Sequence, residues 1–206
     1  MSFVRSFLPA ALVATALVAP MPAAAQFTRG HEFLDAIKKK DDKAALAAID
    51  KKVDLNTVDS VSRETALHIV AGQRRADWIA HLLALGANIN ARDSKGQTPL
   101  QVAVNANFTQ GAGYLIEHGA RLDDSNNVGE TPLISAVHNH NIELVKLLLR
   151  AGANSDRADN SGRNARDYAV LDGGRSGSLA AAIDANAKAR TASGATKPKP
   201  KYGPSL

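Results

Sequence analysis

The sequence predicts an all-α solenoid of stacked helix pairs, and three observations carry that prediction. The tetrapeptides Thr65-Ala66-Leu67-His68, Thr98-Pro99-Leu100-Gln101 and Thr131-Pro132-Leu133-Ile134 begin 33 residues apart. A second marker, Gly86-Ala87-Asn88, Gly119-Ala120-Arg121 and Gly152-Ala153-Asn154, keeps the same step. Two independent markers sharing one period identify a repeat, and periods of this length belong to stacked arrays. Hydrophobic residues make up 45% of the 206-residue chain but aromatics only 4%, with alanine and leucine doing most of the apolar work. Strands prefer β-branched and aromatic side chains, so this composition favours packed helices.

Residues 1–25 read as a secretory leader. Arg5 supplies a short positive region, and Phe7 to Val18 is apolar apart from Pro9 and Thr15. Pro20 and Pro22 break any helix, and Ala23-Ala24-Ala25 offers the small residues a signal peptidase needs, with cleavage expected after Ala25. The run is shorter than the roughly 20 apolar residues of a spanning helix, so no stable membrane insertion is expected after cleavage. The expected location is the periplasm, with secretion as the alternative. The chain has no cysteine. That excludes disulfides, thiol catalysis, Cys-ligated zinc and a lipidated cysteine, so an exported form must rely on packing alone.

Local chemistry within the repeats agrees with helices. Pro99 and Pro132 fall where a first helical turn has no use for an N–H. Thr65, Thr98 and Thr131 stand in the N-cap position. Ile142 to Leu149 has the broad apolar face of a helix packed between neighbours. Gly86, Gly119 and Gly152 suit the left-handed position just past a helix. Gly96, Gly129 and Gly162 each follow Asp93, Asn126 and Asp159 by three residues, as at a tight turn needing positive φ.

These openings and closings resemble the Thr-Pro-Leu-His opening and Gly-Ala-Asp/Asn closing of the ankyrin-repeat family, over roughly residues 30 to 186. The resemblance implies a helix-turn-helix pair with a β-hairpin-like turn in every repeat. The domain would span 26–190: an N-terminal cap at about 27–58, central repeats at about 59–91, 92–124 and 125–157, and a C-terminal cap at about 158–190.

The ends depart from the pattern. Phe33 to Ile37 and Leu46 to Ile49 form a helix pair expected in phase with the repeat, with Lys38 to Lys43 solvated between them. Asn164 to Ala169 keeps the phase while Gly173, Gly174 and Gly177 loosen the next turn. Terminal repeats close a stack against water and are expected to be atypical. Residues 191–206, with Lys197-Pro198-Lys199-Pro200-Lys201, cannot bury enough apolar surface to fold and read as a disordered Lys/Pro-rich tail.

The second repeat is unusual. Gly111 and Gly113 fall inside its second helix, where each costs roughly 1 kcal/mol against alanine. Trp78, the single tryptophan, stands 33 residues before Gly111, so its indole is expected to fill the space that glycine leaves, the alternative being a weak point that lets the stack flex.

Chemistry is sparse. The chain has no Gly-x-Ser-x-Gly elbow, His-Glu-x-x-His helix or phosphate-binding loop, and its acidic residues are spread rather than paired. His68 is expected to bond to nearby backbone and threonine. His138 and His140 flank Asn139 at an inter-helix turn, but zinc on a helix prefers i, i+4 spacing and a third ligand. His81 and His118 lie on different repeats. Asn107-Phe108-Thr109 fits a glycosylation acceptor. No enzyme activity, cofactor or metal is expected, and a formal charge of +5 without a basic face gives no reason to expect nucleic acid.

A stack with projecting turns makes an elongated concave surface for partners. Members of the ankyrin family contact partners with turn tips and the exposed ends of first helices. The resemblance therefore points to Ser62, Glu64 and Gln73 in the first central repeat, and Lys95, Gln97 and Asn105 in the second. It adds Val128, Glu130, His138 and Asn139 in the third, and Arg163 in the C-terminal cap. Glu64 and Glu130 oppose Lys95 and Arg163 in sign. A polyanion would want a single sign, so the expected partner is a protein, bound by a monomer. The alternative is a cell-envelope binder that touches anionic polymer or lipid through the basic tail.

Overall fold

The computed structural model describes residues 23–171 and 177–192. Those residues form ten helices and no strand, in five successive pairs: α1 (Ala23–Lys39) with α2 (Asp42–Asp50), α3 (Ala66–Gly72) with α4 (Ala76–Ala84), α5 (Pro99–Asn105) with α6 (Thr109–Glu117), α7 (Pro132–His138) with α8 (Ile142–Ala151), and α9 (Ala165–Leu171) with α10 (Gly177–Ala192). First helices neighbour one another in the order α1, α3, α5, α7, α9, and second helices in the order α4, α6, α8, α10. One apolar core runs the whole length, from Phe33 and Ile37 through Ile79, Leu115 and Leu148 to Ile183. Burial along this seam, rather than intrinsic propensity, holds helices only seven to ten residues long.

The caps explain where each unit starts. Thr65, Thr98 and Thr131 are the N-caps of α3, α5 and α7, so they occupy matching places in successive units. Thr98 and Thr131 accept from the backbone N–H groups of Gln101 and Ile134, each at 3.3 Å. Pro99 and Pro132 fill the first helical position, where their missing N–H is harmless. Gly86, Gly119 and Gly152 turn left-handed after the second helices, with φ of 87°, 89° and 101°.

Buried polar side chains tie the units together. Thr65 donates its N–H to His68 Nδ1 at 3.2 Å, so that nitrogen is an acceptor and Nε2 carries the proton. His68 Nε2 then donates to the carbonyl of Gln97 in the next unit at 3.0 Å. Gln101, one period later, repeats the act toward the Glu130 carbonyl at 2.8 Å. Both side chains are fully buried. His68 therefore has the structural role expected of it.

Two expectations need correction. The N-terminal pair is not in phase: left-handed Lys40 and Lys52 stand 34 residues before left-handed Arg74 and Gly86. The extra residue lies in the first turn tip. That tip closes from Asp59 N–H to the Glu64 carbonyl, whereas the second closes from Asp93 N–H to Gln97. The second correction concerns Gly111. A Cβ there would collide with the ring of Phe108, the N-cap of α6 three residues earlier, and the three nearest atoms all belong to that ring. Trp78 is buried as expected, but it packs under the Arg75 guanidinium, 5.1 Å from its ring centre. Arg75 also bonds Asp42 in the preceding unit at 2.6 Å and holds that carboxyl below the usual range.

The two helical glycines thus differ. A Cβ at Gly113 would rest 3.9 Å from Leu147 Cδ2, an ordinary contact. Gly113→Ala is expected to stabilise the chain by about 1 kcal/mol through helix propensity. Gly111→Ala must displace the buried Phe108 ring and is expected to cost about 1 to 3 kcal/mol. Thermal melts of the two variants should move in opposite directions; equal shifts would refute the assignment of the Phe108 ring.

Residues 1–22 and 193–206, and with them most of the leader and tail, lie outside the described residues, as do Gly173 and Gly174. The expected cleavage point after Ala25 falls in the first turn of α1. No helix among the described residues is long and apolar enough to cross a membrane.

Candidate partner-binding face

The turn tips are built from an aspartate or asparagine that faces inward. Asp93 Oδ1 accepts from the N–H groups of Lys95 and Gln97 at 2.9 and 2.7 Å. Asn126 Oδ1 accepts from Val128 and Glu130 at 3.1 and 2.9 Å, and Asp159 Oδ1 from Ser161 and Arg163 at 2.8 and 3.1 Å. In the enlarged first tip, Asp59 Oδ1 accepts from Val61 and Ser62 at 3.0 and 2.9 Å. Neighbouring tips are joined by backbone bonds: Ser94 N–H to the Ser62 carbonyl, Asn127 to Lys95, and Asn160 to Val128, at 2.9, 2.9 and 3.2 Å. Asn127 and Asn160 add side-chain amide bonds to the Ser94 and Asn127 carbonyls. The tips form one continuous, mutually braced edge.

The residues singled out from the sequence divide by what their side chains do. Gln73 donates to the Ile37 and Lys38 carbonyls at 3.2 and 3.1 Å, capping the end of α1. Asn139 likewise donates to the Val104 carbonyl at 2.9 Å, so both amides brace the preceding unit. Ser62 and Glu64 bond to each other at 2.9 Å. Glu130 accepts from His138 Nδ1 at 2.8 Å and from Asn126 at 3.3 Å. Lys95, Asn105, Val128 and Arg163 are exposed, and Gln97 is half-buried.

The third repeat and C-terminal cap meet in a cluster around Tyr168. Its hydroxyl donates to Asp159 Oδ2 at 2.6 Å, and that bond is the main cause of the low Asp159 pKa. His138 meets the Tyr168 ring edge-on, 4.4 Å between centres. Val137, His138, His140, Tyr168 and Leu171 line an open cleft of about 280 Å³. Although His138 and His140 share this cleft, no group of three or more His, Cys, Asp or Glu among the described residues could hold a metal ion. His118 stacks on Tyr114 at 4.1 Å and His81 meets Trp78 edge-on, so these two histidines serve separate local contacts.

The sequence reading leaves out Val61 and Arg63. Val61 is 85% exposed, the most open large apolar side chain among the described residues. Arg63 holds a left-handed backbone, φ 55°, at the position glycine occupies in the next three tips. Aligning Asp59–Glu64 against Asp93–Gln97 would have revealed both the additional residue and the missing glycine.

Equivalent helix pairs, a shared core and a braced row of tips define a linear repeat scaffold, with its variable side chains on one edge. The chain belongs to the ankyrin-repeat family. The family described as "Ankyrin repeats (3 copies)" matches residues 33–126, and "Ankyrin repeats (many copies)" matches 115–169. A curated relative, the Neurogenic locus Notch protein of Drosophila melanogaster, is 34% identical over 91 residues, or 43% of this chain. That match spans only 3% of the relative's length. Ankyrin repeats generally mediate protein–protein interaction, and proteins built from them are typically not enzymes.

Proposed function

We propose that this chain is an exported, monomeric interaction module that grips a partner protein with its tips and the adjoining ends of its first helices. The supporting observation is a division of labour. Gln73, Asn139 and the inward Asp59, Asp93 and Asp159 carboxylates hold the scaffold, while Lys95, Asn105, Val128 and Arg163 stand on its edge and are exposed. A backbone already braced by these bonds has little freedom left to lose on binding, which favours affinity. The leader-like residues 1–25 support export, and the periplasm is the proposed destination.

Photo-crosslinking in the native compartment tests this. A crosslinker at Lys95, Asn105 or Val128 is expected to capture a discrete protein, and one at exposed Glu117 on α6 is not. Capture at Glu117 alone, or none anywhere, would overturn the reading, and a cytoplasmic location on fractionation would overturn export.

A further inference from the structure

The charge of this edge differs from its composition. Each tip carboxylate is turned inward: Asp59 to the Val61 and Ser62 N–H groups and Lys38, Asp93 to Lys95 and Gln97 N–H, and Asp159 to Tyr168 and two N–H groups. Glu64 and Glu130 are half-buried and already accept from Ser62, His138 and Asn126. The cations do the opposite. Arg63, Lys95 and Arg163 are exposed, and none has a carboxylate partner among the described residues; Arg163 lies over the Tyr168 ring at 5.9 Å. Interleaved with them stand Val61 and Val128, 85% and 62% exposed.

We infer that Val61, Arg63, Lys95, Val128 and Arg163 form one contact row for an acidic, aliphatic segment of the partner protein, lying across the tips. This rests on the protein-binding reading above and names the partner's chemistry. A ligand at the tips meets ammonium and guanidinium groups directly, while the carboxylates sit behind with their lone pairs in use. The row holds only three cations on a chain of formal net charge +5, a modest long-range field compared with the one a polyanion would need. Short-range pairing suits single carboxylates, and the two valines need apolar side chains opposite them. The inserted residue of the first tip carries Val61 outward, and Arg63 holds a backbone conformation in which a non-glycine residue costs about 1 to 2 kcal/mol.

The test uses the full chain and a short fluorescent peptide alternating glutamate and leucine with serine spacers. Anisotropy is expected to show binding that weakens about tenfold in the triple variant R63Q/K95Q/R163Q, and again in V61S/V128S. A peptide with glutamine for glutamate, or without leucine, should bind more weakly by a similar factor. Circular dichroism melts confirm that the variants fold. Equal affinity for the variants, equal affinity for the leucine-free peptide, or tighter binding of polyphosphate would overturn the inference. Should that happen while crosslinkers at Asn105 still capture a protein, the protein-binding reading survives and only the acidic–aliphatic assignment falls.

Discussion

Replacing His68 with alanine is expected to cost about 3 to 5 kcal/mol, lowering the melting temperature by roughly 10 °C. The ring is fully buried. It accepts from the Thr65 N–H and donates to the Gln97 carbonyl, so its loss strands two polar groups and opens a cavity between units. The effect should also depend on pH. Burial pushes the His68 pKa down, opposed by the Gln97 carbonyl and by Asp93 and Glu64. The unfolded imidazole, near 6.5, therefore takes up a proton that the folded one refuses. Stability from this site is complete above that value and declines as pH falls below it. Asp59 and Asp159 act in a separate window. Lys38 and Tyr168 hold their carboxyls well below the usual 3.8, so their contribution fades only in stronger acid. Melts of the wild type and His68→Ala between pH 7.5 and 5 would decide the matter. Parallel curves, or a loss under 1 kcal/mol, would refute the role given to the imidazole.

Much of the fold is legible in the chain because the features that specify it are local and repeated. Thr65, Thr98 and Thr131 announce helix starts, and Gly86, Gly119 and Gly152 announce ends, for reasons contained within a few residues of each. What escapes depends on rotamers and on counting. Gly111 and Trp78 share a period, which places them on neighbouring helices, but only coordinates show that Phe108 already covers Gly111. The extra residue at the first tip is hidden because the N-terminal pair lacks the Thr-Pro-Leu-His marker that would expose a slip of one.

The proposed binding edge is less legible still. Counting Glu64 and Glu130 against Lys95 and Arg163 gives a mixed strip, yet a sequence does not say which carboxylates face inward. An aspartate that accepts from N–H groups two to four residues ahead is a recognisable turn device, and it accounts for the inward Asp59, Asp93 and Asp159 but not for Glu64 and Glu130. Gln73 and Asn139 show the converse difficulty. An amide at a helix end can meet a ligand or a neighbouring carbonyl, and here both bond to carbonyls of the preceding unit.

Because the tips are braced against one another, the most damaging small change along their edge is expected to be Gly129→Ala. Gly129 has φ 82°, and a Cβ there would stand 2.5 Å from the backbone nitrogen of Asn160 in the next tip. Backbone cannot rotate aside as a side chain can. The same nitrogen donates to the Val128 carbonyl, so relieving the clash breaks the bond that joins the third tip to the C-terminal cap. Conformational strain and the clash together are expected to cost about 2 to 4 kcal/mol. Gly162, at φ 79° with no atom within 4 Å of a Cβ, supplies the control. Its alanine variant bears the conformational cost alone, about 1 to 2 kcal/mol. Hydrogen exchange should report the difference locally, with faster exchange at Asn160 in Gly129→Ala and little change there in Gly162→Ala. If the two variants melted together, the tips would be independent loops, and a contact row held in register by their hydrogen bonds would have no physical basis.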